Sequence, residues 1–279
     1  MAAGLALTAW TSSGSVARAQ DAGPGSDKSR YNLINPTPRA LMREMATDRP
    51  DVTESPYTVD AGHVQVESSF LDYTRDDENG GDLEAWSVLP TNVKIGLTNY
   101  MDLQLAFEPY IREELDNNSL DGFGATQLRL KINLWGNDGG HTALAIMPFV
   151  RFPTESEHFD ATEHLQGGVI LPLKLSLPRE WDLGLMAEFD VVRDAADEDY
   201  ELQFVHTASL SHAIVGDLDG YLEYIGITDT EEGTGYLCLL GTGVTYGLSD
   251  NVQVDGGANI GLSGEADDFT VFVGVSVRQ

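Results

Sequence analysis

The sequence is poor in cysteine, in basic residues and in long apolar runs. Of its 279 residues only Cys238 is a cysteine, so no intrachain disulfide can form. Lysine and arginine number 16 against 45 aspartates and glutamates, which gives a formal net charge of −29. No basic patch is available to neutralise phosphates, so a nucleic-acid partner is not expected. No run of 18 or more apolar residues occurs, so a transmembrane helix is not expected either.

Motifs for catalysis and cofactor binding are also missing. Neither G-x-S-x-G nor H-E-x-x-H occurs, and the six histidines show no metal-type spacing. An outer-membrane phospholipase would need a lipid-facing His-x-Ser pair, and no histidine here has a serine two positions later. The sequence therefore predicts no enzyme, no metal site and no cofactor.

What the sequence does contain is alternation with a period of two. In DFTVFVGVSVR, residues 268–278, every second residue is valine or phenylalanine, and the residues between them are mostly small or polar. This pattern begins at residue 61 and predicts twelve strands, longer than the roughly 5 or 6 residues usual in globular sheets. Such strands can cross a bilayer, for which a tilted strand needs about 9–11 residues. The predicted strands are 61–73, 85–98, 102–114, 123–135, 141–153, 163–177, 182–193, 200–213, 218–228, 234–247, 252–262 and 268–278.

The connections between these strands alternate in length and charge. Those after odd-numbered strands are mostly long and acidic, such as TRDDENGGDLE (74–84) and LDNNSLD (115–121), whereas NYM (99–101) and SDN (249–251) are short turns. Outer-membrane barrels have this asymmetry, and closure removes the two long edges of an open sheet. The predicted fold is therefore all-β, a transmembrane antiparallel β-barrel of about twelve strands. Two soluble β-sandwiches would give the same alternation and are the alternative.

Two further features bear on this choice. Aromatic residues near strand ends suit the interfacial girdles of a membrane barrel. They are Tyr73, Trp86, Tyr100, Trp135, Phe152, Trp181, Tyr200 and Tyr246. Against it, Pro90, Pro109, Pro148 and Pro172 fall within predicted strands, where a closed barrel has no free edge for proline. Bulges near the rims are expected to accommodate them.

The chain divides into three parts. Residues 1–19 read as a signal peptide, with a short apolar stretch and small residues at cleavage-like positions 17 and 19. Residues 20–60 read as a linker that contains a short helix, with Thr37 as N-cap, Pro38 at the first helical position and Pro50 as its stop. Residues 61–279 form the barrel. We expect residues 45–60 to enter the barrel as a partial plug, the alternative being a solvent-exposed periplasmic strap.

The charged residues on the polar face separate along the chain. Basic ones come first and acidic ones later, with Glu67 and Glu108 as exceptions. The predicted lumen residues are Lys94, Glu108, Arg112, Arg129, Lys131, Arg151, Lys174, Glu188, Asp190, Glu201, Glu223 and Asp255. Two opposed charged walls would set a field across the lumen, as in a selectivity filter. Alternatively, the two walls pair with each other and fill the interior.

The segment TDRPDVTESPYTVDAGHVQVE, residues 47–67, resembles the entry motif of the family described as "Putative MetA-pathway of phenol degradation". The matching motif residues are Asp48, Arg49, Pro50, Asp51, Thr53, Glu54, Ser55 and Pro56, together with Gly62 and Glu67. Later strands are similar too, so the resemblance covers roughly residues 45–279. It implies a bacterial outer-membrane barrel that admits small, hydrophobic or aromatic compounds. The final residues, SVRQ, depart from the terminal aromatic residue that the barrel-assembly machinery usually reads.

These observations predict an outer-membrane channel or transporter for small molecules, located in the bacterial outer membrane. Its expected partners are outer-membrane lipid and lipopolysaccharide, small solutes and the barrel-assembly machinery. A non-conducting structural barrel and a secreted soluble β-sheet binding protein are the alternatives.

Overall fold

Fifteen β-strands form one antiparallel sheet in the described part of the chain. The computed structural model describes residues 27–77, 82–115, 118–156, 164–193, 200–229 and 235–279. The strands are β1 (Val64–Asp76), β2 (Leu83–Val88), β3 (Thr91–Thr98), β4 (Met101–Phe107), β5 (Tyr110–Leu115), β6 (Asn118–Gly122), β7 (Thr126–Trp135), β8 (Thr142–Phe152), β9 (Gln166–Leu177), β10 (Trp181–Arg193), β11 (Tyr200–Val215), β12 (Leu218–Asp229), β13 (Leu237–Ser249), β14 (Val252–Gly261) and β15 (Phe269–Arg278).

The sheet closes on itself into a barrel. β15 pairs with β1 along a register that runs from Gln65 opposite Arg278 to Arg75 opposite Phe269. β2 and β3 both pair with β1 and together make one strand of the wall. In the same way β4 and β5 make a second wall strand, and β6 and β7 make a third. The fifteen strands therefore form a wall of twelve. The prediction of a twelve-stranded antiparallel β-barrel is confirmed.

Two of the four prolines that fall within predicted strands interrupt the strands of the wall. Pro90 separates β2 from β3, Pro109 separates β4 from β5, and residues 123–125 separate β6 from β7. Backbone hydrogen bonds still cross these breaks, with Ser69 N donating to Pro90 O at 3.1 Å and Gly124 N donating to Glu108 O at 2.9 Å. The breaks lie side by side on three neighbouring strands, so they form a continuous kink across this part of the wall.

The other two prolines remain inside strands. Pro148 pairs with Val169 of β9, and Pro172 pairs with Met186 of β10. On its other side each proline has no paired residue, on β7 for Pro148 and on β8 for Pro172, because proline has no N–H to donate. These interior positions differ from the bulges near the rims that the sequence led us to expect.

The burial pattern is inverted relative to a soluble protein. The largest fully buried side chains include Lys131, Glu67 and Glu223, whereas Val271 and Val273 on the outer face are 42% and 49% exposed. Soluble proteins almost never bury lysine or glutamate completely unless they are paired, and they bury valine. An apolar outer face and a charged interior suit a barrel surrounded by lipid, which excludes the soluble sandwich.

Aromatic side chains ring the outer surface at both ends. Near one end the ring centroids of Tyr73 and Trp86 lie 5.5 Å apart, and those of Tyr73 and Phe269 lie 6.0 Å apart. Near the other end Trp181 packs against His212 at 4.4 Å. The exposed aromatic residues at that end also include Tyr100, Trp135 and Tyr246. Two aromatic girdles of this kind mark the membrane interfaces of a transmembrane barrel.

The connections distinguish the two ends. At the turn end, residues 99–100, 178–180, 216–217 and 250–251 join strands directly, with a longer turn at 136–141. At the loop end the connections are mostly longer, for example 153–165 and 262–268. The predicted loop 115–121 is wrong, because Asn118–Gly122 pairs with β5 as strand β6 and leaves a hairpin of two residues. Much of the other predicted acidic loops, 78–81, 157–163, 194–199 and 230–234, lies outside the described residues.

The N-terminal part contains little regular structure. The predicted signal peptide lies outside the described residues. The predicted helix after Pro38 is reduced to a single 3-10 turn, Arg39–Leu41. Nowhere in the described ranges is there a helix long and apolar enough to span a membrane.

A charge on the outer face should test the inverted pattern. Replacing Val273 by arginine should destabilise the barrel by about 2–4 kcal/mol, because the guanidinium would face hydrocarbon near the middle of the wall. Val273→Leu keeps the surface apolar and should leave stability nearly unchanged. Urea unfolding in lipid vesicles measures both variants, and equal stability of the two would contradict a lipid-facing Val273.

Candidate functional site

Residues 43–60 run through the inside of the barrel and are called the lumen segment below. The segment contacts inward-facing side chains from strands on opposite sides of the wall, including β3, β7, β12 and β14. Inward residues are identified by the register, since partners directly opposite one another in adjacent strands point to the same face. The segment therefore joins walls that do not touch each other.

On the basic wall, Asp48 lies between two lysines. Lys131 Nζ donates to Asp48 Oδ1 at 2.7 Å and to Oδ2 at 2.8 Å, and Lys94 forms ion pairs with both Asp48 and Glu67. Lys94 and Lys131 are almost fully buried. Although burial raises the pKa of Asp48, the attraction of Lys131 and Lys94 outweighs it and holds that pKa well below its usual value. Asp48 is thus charged at neutral pH.

Glu54 makes the second contact with the basic wall. Arg129 Nη1 donates to Glu54 Oε1 at 2.7 Å, and Lys131 Nζ lies 3.7 Å from Glu54 Oε2. The wall cations of β3 and β7 are therefore neutralised by carboxylates of the lumen segment and by Glu67 of β1.

On the acidic wall, Arg49 is the cation. Its Nη2 donates to Asp255 Oδ1 at 2.7 Å, and its Nη1 donates to Ser69 Oγ at 2.6 Å. The side chain reaches across Gly274, where a Cβ atom would collide with the guanidinium. A glycine at this position of β15 therefore makes room for the arginine.

Glu223, also on the acidic wall, is held by the backbone of the segment. Its carboxylate accepts hydrogen bonds from Val52 N at 2.9 Å and from Thr53 N at 2.7 Å, and Thr53 Oγ1 donates to it at 2.6 Å. Thr53 Oγ1 also lies 2.6 Å from Thr207 Oγ1 of β11. A buried carboxylate needs such donors when no cation is beside it.

Toward the turn end, wall side chains hold the backbone of the segment. Asp102 Oδ2 accepts from Val59 N at 2.9 Å, and Asn133 Nδ2 donates to Pro56 O at 2.9 Å. Asp60 Oδ2 accepts from Arg43 N at 2.9 Å, so this amide bonds to a side chain and not within a helix. Such contacts explain why the helix predicted from residue 38 stops after one turn.

Two cavities flank the lumen segment. The loop-side cavity, about 410 Å³, is lined by residues that include Pro90, Phe107 and Glu108 beside the kink in the wall. The turn-side cavity, about 550 Å³, is lined by residues that include Asp51 and Tyr221 and opens between the segment and strands β9 to β14. The segment separates the two.

Most of the predicted lumen residues face the interior. Glu108, Arg129 and Arg151 line the loop-side cavity, and Lys174 lines the turn-side cavity, where it lies 3.0 Å from Asp182 and over the ring of Tyr57. The register also places inside Lys94, Lys131, Glu188, Asp190, Glu201, Glu223 and Asp255. Arg151 forms its ion pair with Glu155 near the loop end.

Arg112 is the exception, because it lies on the outer surface. It pairs with Trp86, and Trp86 pairs with Tyr73, whose ring belongs to the outer girdle. The break at Glu108 and Pro109 is the cause. Even-numbered residues of β4 face inward, but the break shifts the alternation so that odd-numbered residues of β5 do. Counting every second residue across a proline therefore gave the wrong face for Arg112.

Several interior residues were not predicted from the sequence. They form a second polar cluster at the turn end, around Asp60. Its members are Lys28, Arg43, Asp60, Asp138 and Arg278. Arg278 and Asp102 could have been predicted to face the interior, since both occupy polar positions of an alternating strand. Lys28, Arg43 and Asp138 lie outside the strands and have no periodic signal.

The fold and interior together define a class. A closed twelve-stranded barrel with an apolar outer face, two aromatic girdles and a charged interior is a transmembrane barrel of the outer-membrane type. The profile of the family described as "Putative MetA-pathway of phenol degradation" matches residues 47–279, and the chain belongs to that family.

A solved outer-membrane channel structure shares this fold. An outer membrane channel from Pseudomonas putida F1 matches with a TM-score of 0.61 at 12% sequence identity, over 84% of this chain and 100% of that chain. The NanC porin matches with a TM-score of 0.49 at 9% identity, over 77% of this chain and 98% of that one. A comparison with curated proteins finds no match.

The buried ion pairs predict a large stability effect. Asp48→Asn removes the carboxylate that Lys94 and Lys131 share, so unfolding free energy should fall by about 3–5 kcal/mol. Asp77→Asn removes an exposed partner of Arg75 at 2.9 Å, and its effect on unfolding free energy should be much smaller because solvent screens that pair. Urea unfolding in lipid vesicles compares them, and a cost for Asp48→Asn no larger than for Asp77→Asn would contradict the pairing.

Proposed function

We propose that this protein is an outer-membrane channel for small molecules whose pathway is obstructed by the lumen segment. The observation that carries the proposal is the pair of cavities, about 410 and 550 Å³, on either side of a segment anchored to both walls. A purely structural barrel does not need cavities of this size, which fall within the range of ligand sites. We propose no covalent chemistry.

The orientation follows the habit of bacterial barrels. Short turns face the periplasm and longer loops face outward, so the turn end and the lumen segment belong to the periplasmic side. The outer face between the girdles meets outer-membrane lipid. The acidic loops, together with divalent cations, would contact lipopolysaccharide. The barrel-assembly machinery inserts the protein.

The substrate class we propose is small, uncharged hydrophobic or aromatic compounds. The segment forms ion pairs with Arg129, Lys131 and Asp255 of the wall, so these charges are already compensated and are not free to bind a passing ion. Each cavity is large enough for a single-ring compound. The family description refers to phenol degradation, which supports the same size and chemistry.

Liposome swelling provides the test. Relative to protein-free vesicles, reconstituted protein should raise the entry rates of phenol and benzyl alcohol more than those of glucose and sucrose, because the lumen segment narrows the path. Deleting residues 37–60 should raise the rates for sugars and the single-channel conductance several-fold, since the lumen would then be open from end to end.

A second variant tests the same point if the deletion variant does not fold. Arg49→Gln combined with Glu223→Gln removes the charged contacts with the acidic wall and keeps the full chain, and its conductance should also rise. No swelling with any solute, and no conductance in any form, would instead establish a non-conducting structural barrel. Unchanged conductance after the deletion would show that the segment does not obstruct the path.

A further inference from the structure

Asp51 is the one carboxylate of the DRPDVTESP motif without a cation beside it in the described structure. Asp48 pairs with Lys94 and Lys131, and Glu54 pairs with Arg129. Asp51 forms no ion pair with any described residue, and Ser209 is the neighbouring side chain that stabilises its charged form. Both residues line the turn-side cavity.

The surroundings of Asp51 carry an excess of negative charge. Glu223 is close enough to repel it, and the nearby Arg49 is engaged with Asp255 at 2.7 Å. Burial and the Glu223 charge raise the pKa of Asp51 to about 7. At neutral pH the carboxylate therefore shares its site with either a proton or another cation.

The other cations that line this cavity are already occupied. Lys28 and Arg43 lie 2.7 and 3.1 Å from Asp138, and Lys174 lies 3.0 Å from Asp182. None of these three forms an ion pair with Asp51. When Asp51 is ionised, a compensating cation would therefore come from solution.

Tyr221 supplies an independent observation. Its side chain lines the same cavity and is only 8% exposed, yet its hydroxyl has no hydrogen-bond partner in the described structure. A buried hydroxyl without a partner is costly. The ring lies against Gly243, where a Cβ atom would collide with it, so the wall is shaped to hold the phenol in this place.

We propose that Asp51, Ser209 and Tyr221 form a binding site for a monovalent cation in the turn-side cavity. The ligand is the ammonium group of a protonated amine or a potassium ion. An ammonium has three hydrogen-bond donors, which match one carboxylate and two hydroxyl oxygens. Nowhere in the described ranges do three or more histidine, cysteine, aspartate or glutamate side chains form a metal-binding group, which disfavours a divalent metal.

This site would extend the substrate class to compounds that carry an amine, and this extension rests on the proposed function. Binding itself does not require transport. It is therefore measured at equilibrium, by isothermal titration calorimetry of the full-length barrel in detergent at pH 8, where Asp51 is ionised.

The probe is n-butylammonium chloride, with 1-butanol as its uncharged counterpart. Wild-type protein should bind one butylammonium and no butanol, and Asp51→Asn should weaken binding at least tenfold. Asp182→Asn is the matched control, because it removes the same charge from the same cavity, and its affinity should stay within twofold. Tyr221→Phe, which keeps the ring, should weaken binding about threefold or more. Competition by potassium chloride would identify the inorganic ion as a ligand, and its absence would assign the site to amines.

The proposal is overturned if butylammonium does not bind, if butanol binds equally well, or if Asp51→Asn and Asp182→Asn have the same affinity. If Asp51→Asn does not fold, Tyr221→Phe decides the matter, and unchanged affinity there overturns the site. Single-channel recording separates the two proposals. Binding without conductance would leave the cation site intact and refute the channel, whereas conductance without binding would do the reverse.

Discussion

The structure depends on one constraint, which is that charges enclosed by the barrel wall must find partners inside it. Lys131, Glu223 and Asp255 are buried inside the barrel. The lumen segment resolves this by presenting Asp48 and Glu54 to one wall and Arg49 to the other. The segment acts as a polar core, in the place where a soluble protein would have an apolar one. Barrel stability and the proposed obstruction of the lumen therefore have the same physical cause.

This answers the question that the sequence left open between a selectivity field and cross-lumen pairing. The two walls do carry opposite charges, as the sequence indicated, but among the described residues Arg129, Lys131 and Asp255 pair with the lumen segment and not with the opposite wall. Glu223 shows why such pairing is hard to foresee. Its partners are two backbone amides and the hydroxyl of Thr53, groups that leave no charge pattern in a sequence. An acidic residue on the polar face of a strand says only that donors are needed, and not what they are.

The barrel itself was predictable because alternation of period two is a strong signal over twelve strands. The main error in the prediction arises where the alternation is interrupted. Pro109 breaks a wall strand, the inward face changes from even to odd numbers, and Arg112 consequently points outward. The path of the lumen segment was less accessible, because its conformation is set by contacts with distant strands. Pro38 and Pro50 suggested a helix, yet the Arg43 amide bonds to Asp60 instead. Local propensity yields here to tertiary hydrogen bonds.

The central claim is that residues 43–60 occupy the lumen and bind both walls. Thr53 and Thr207 test it most directly, since their hydroxyl oxygens lie 2.6 Å apart although the residues are 154 positions apart in the chain. In a Cys238→Ser background, Thr53→Cys and Thr207→Cys should form a disulfide in intact outer membranes, because their side chains are already within bonding reach. Mass spectrometry of the non-reduced protein detects the link. A cross-link in nearly all folded molecules is the expected result, and free thiols at both positions in the folded barrel would contradict the account.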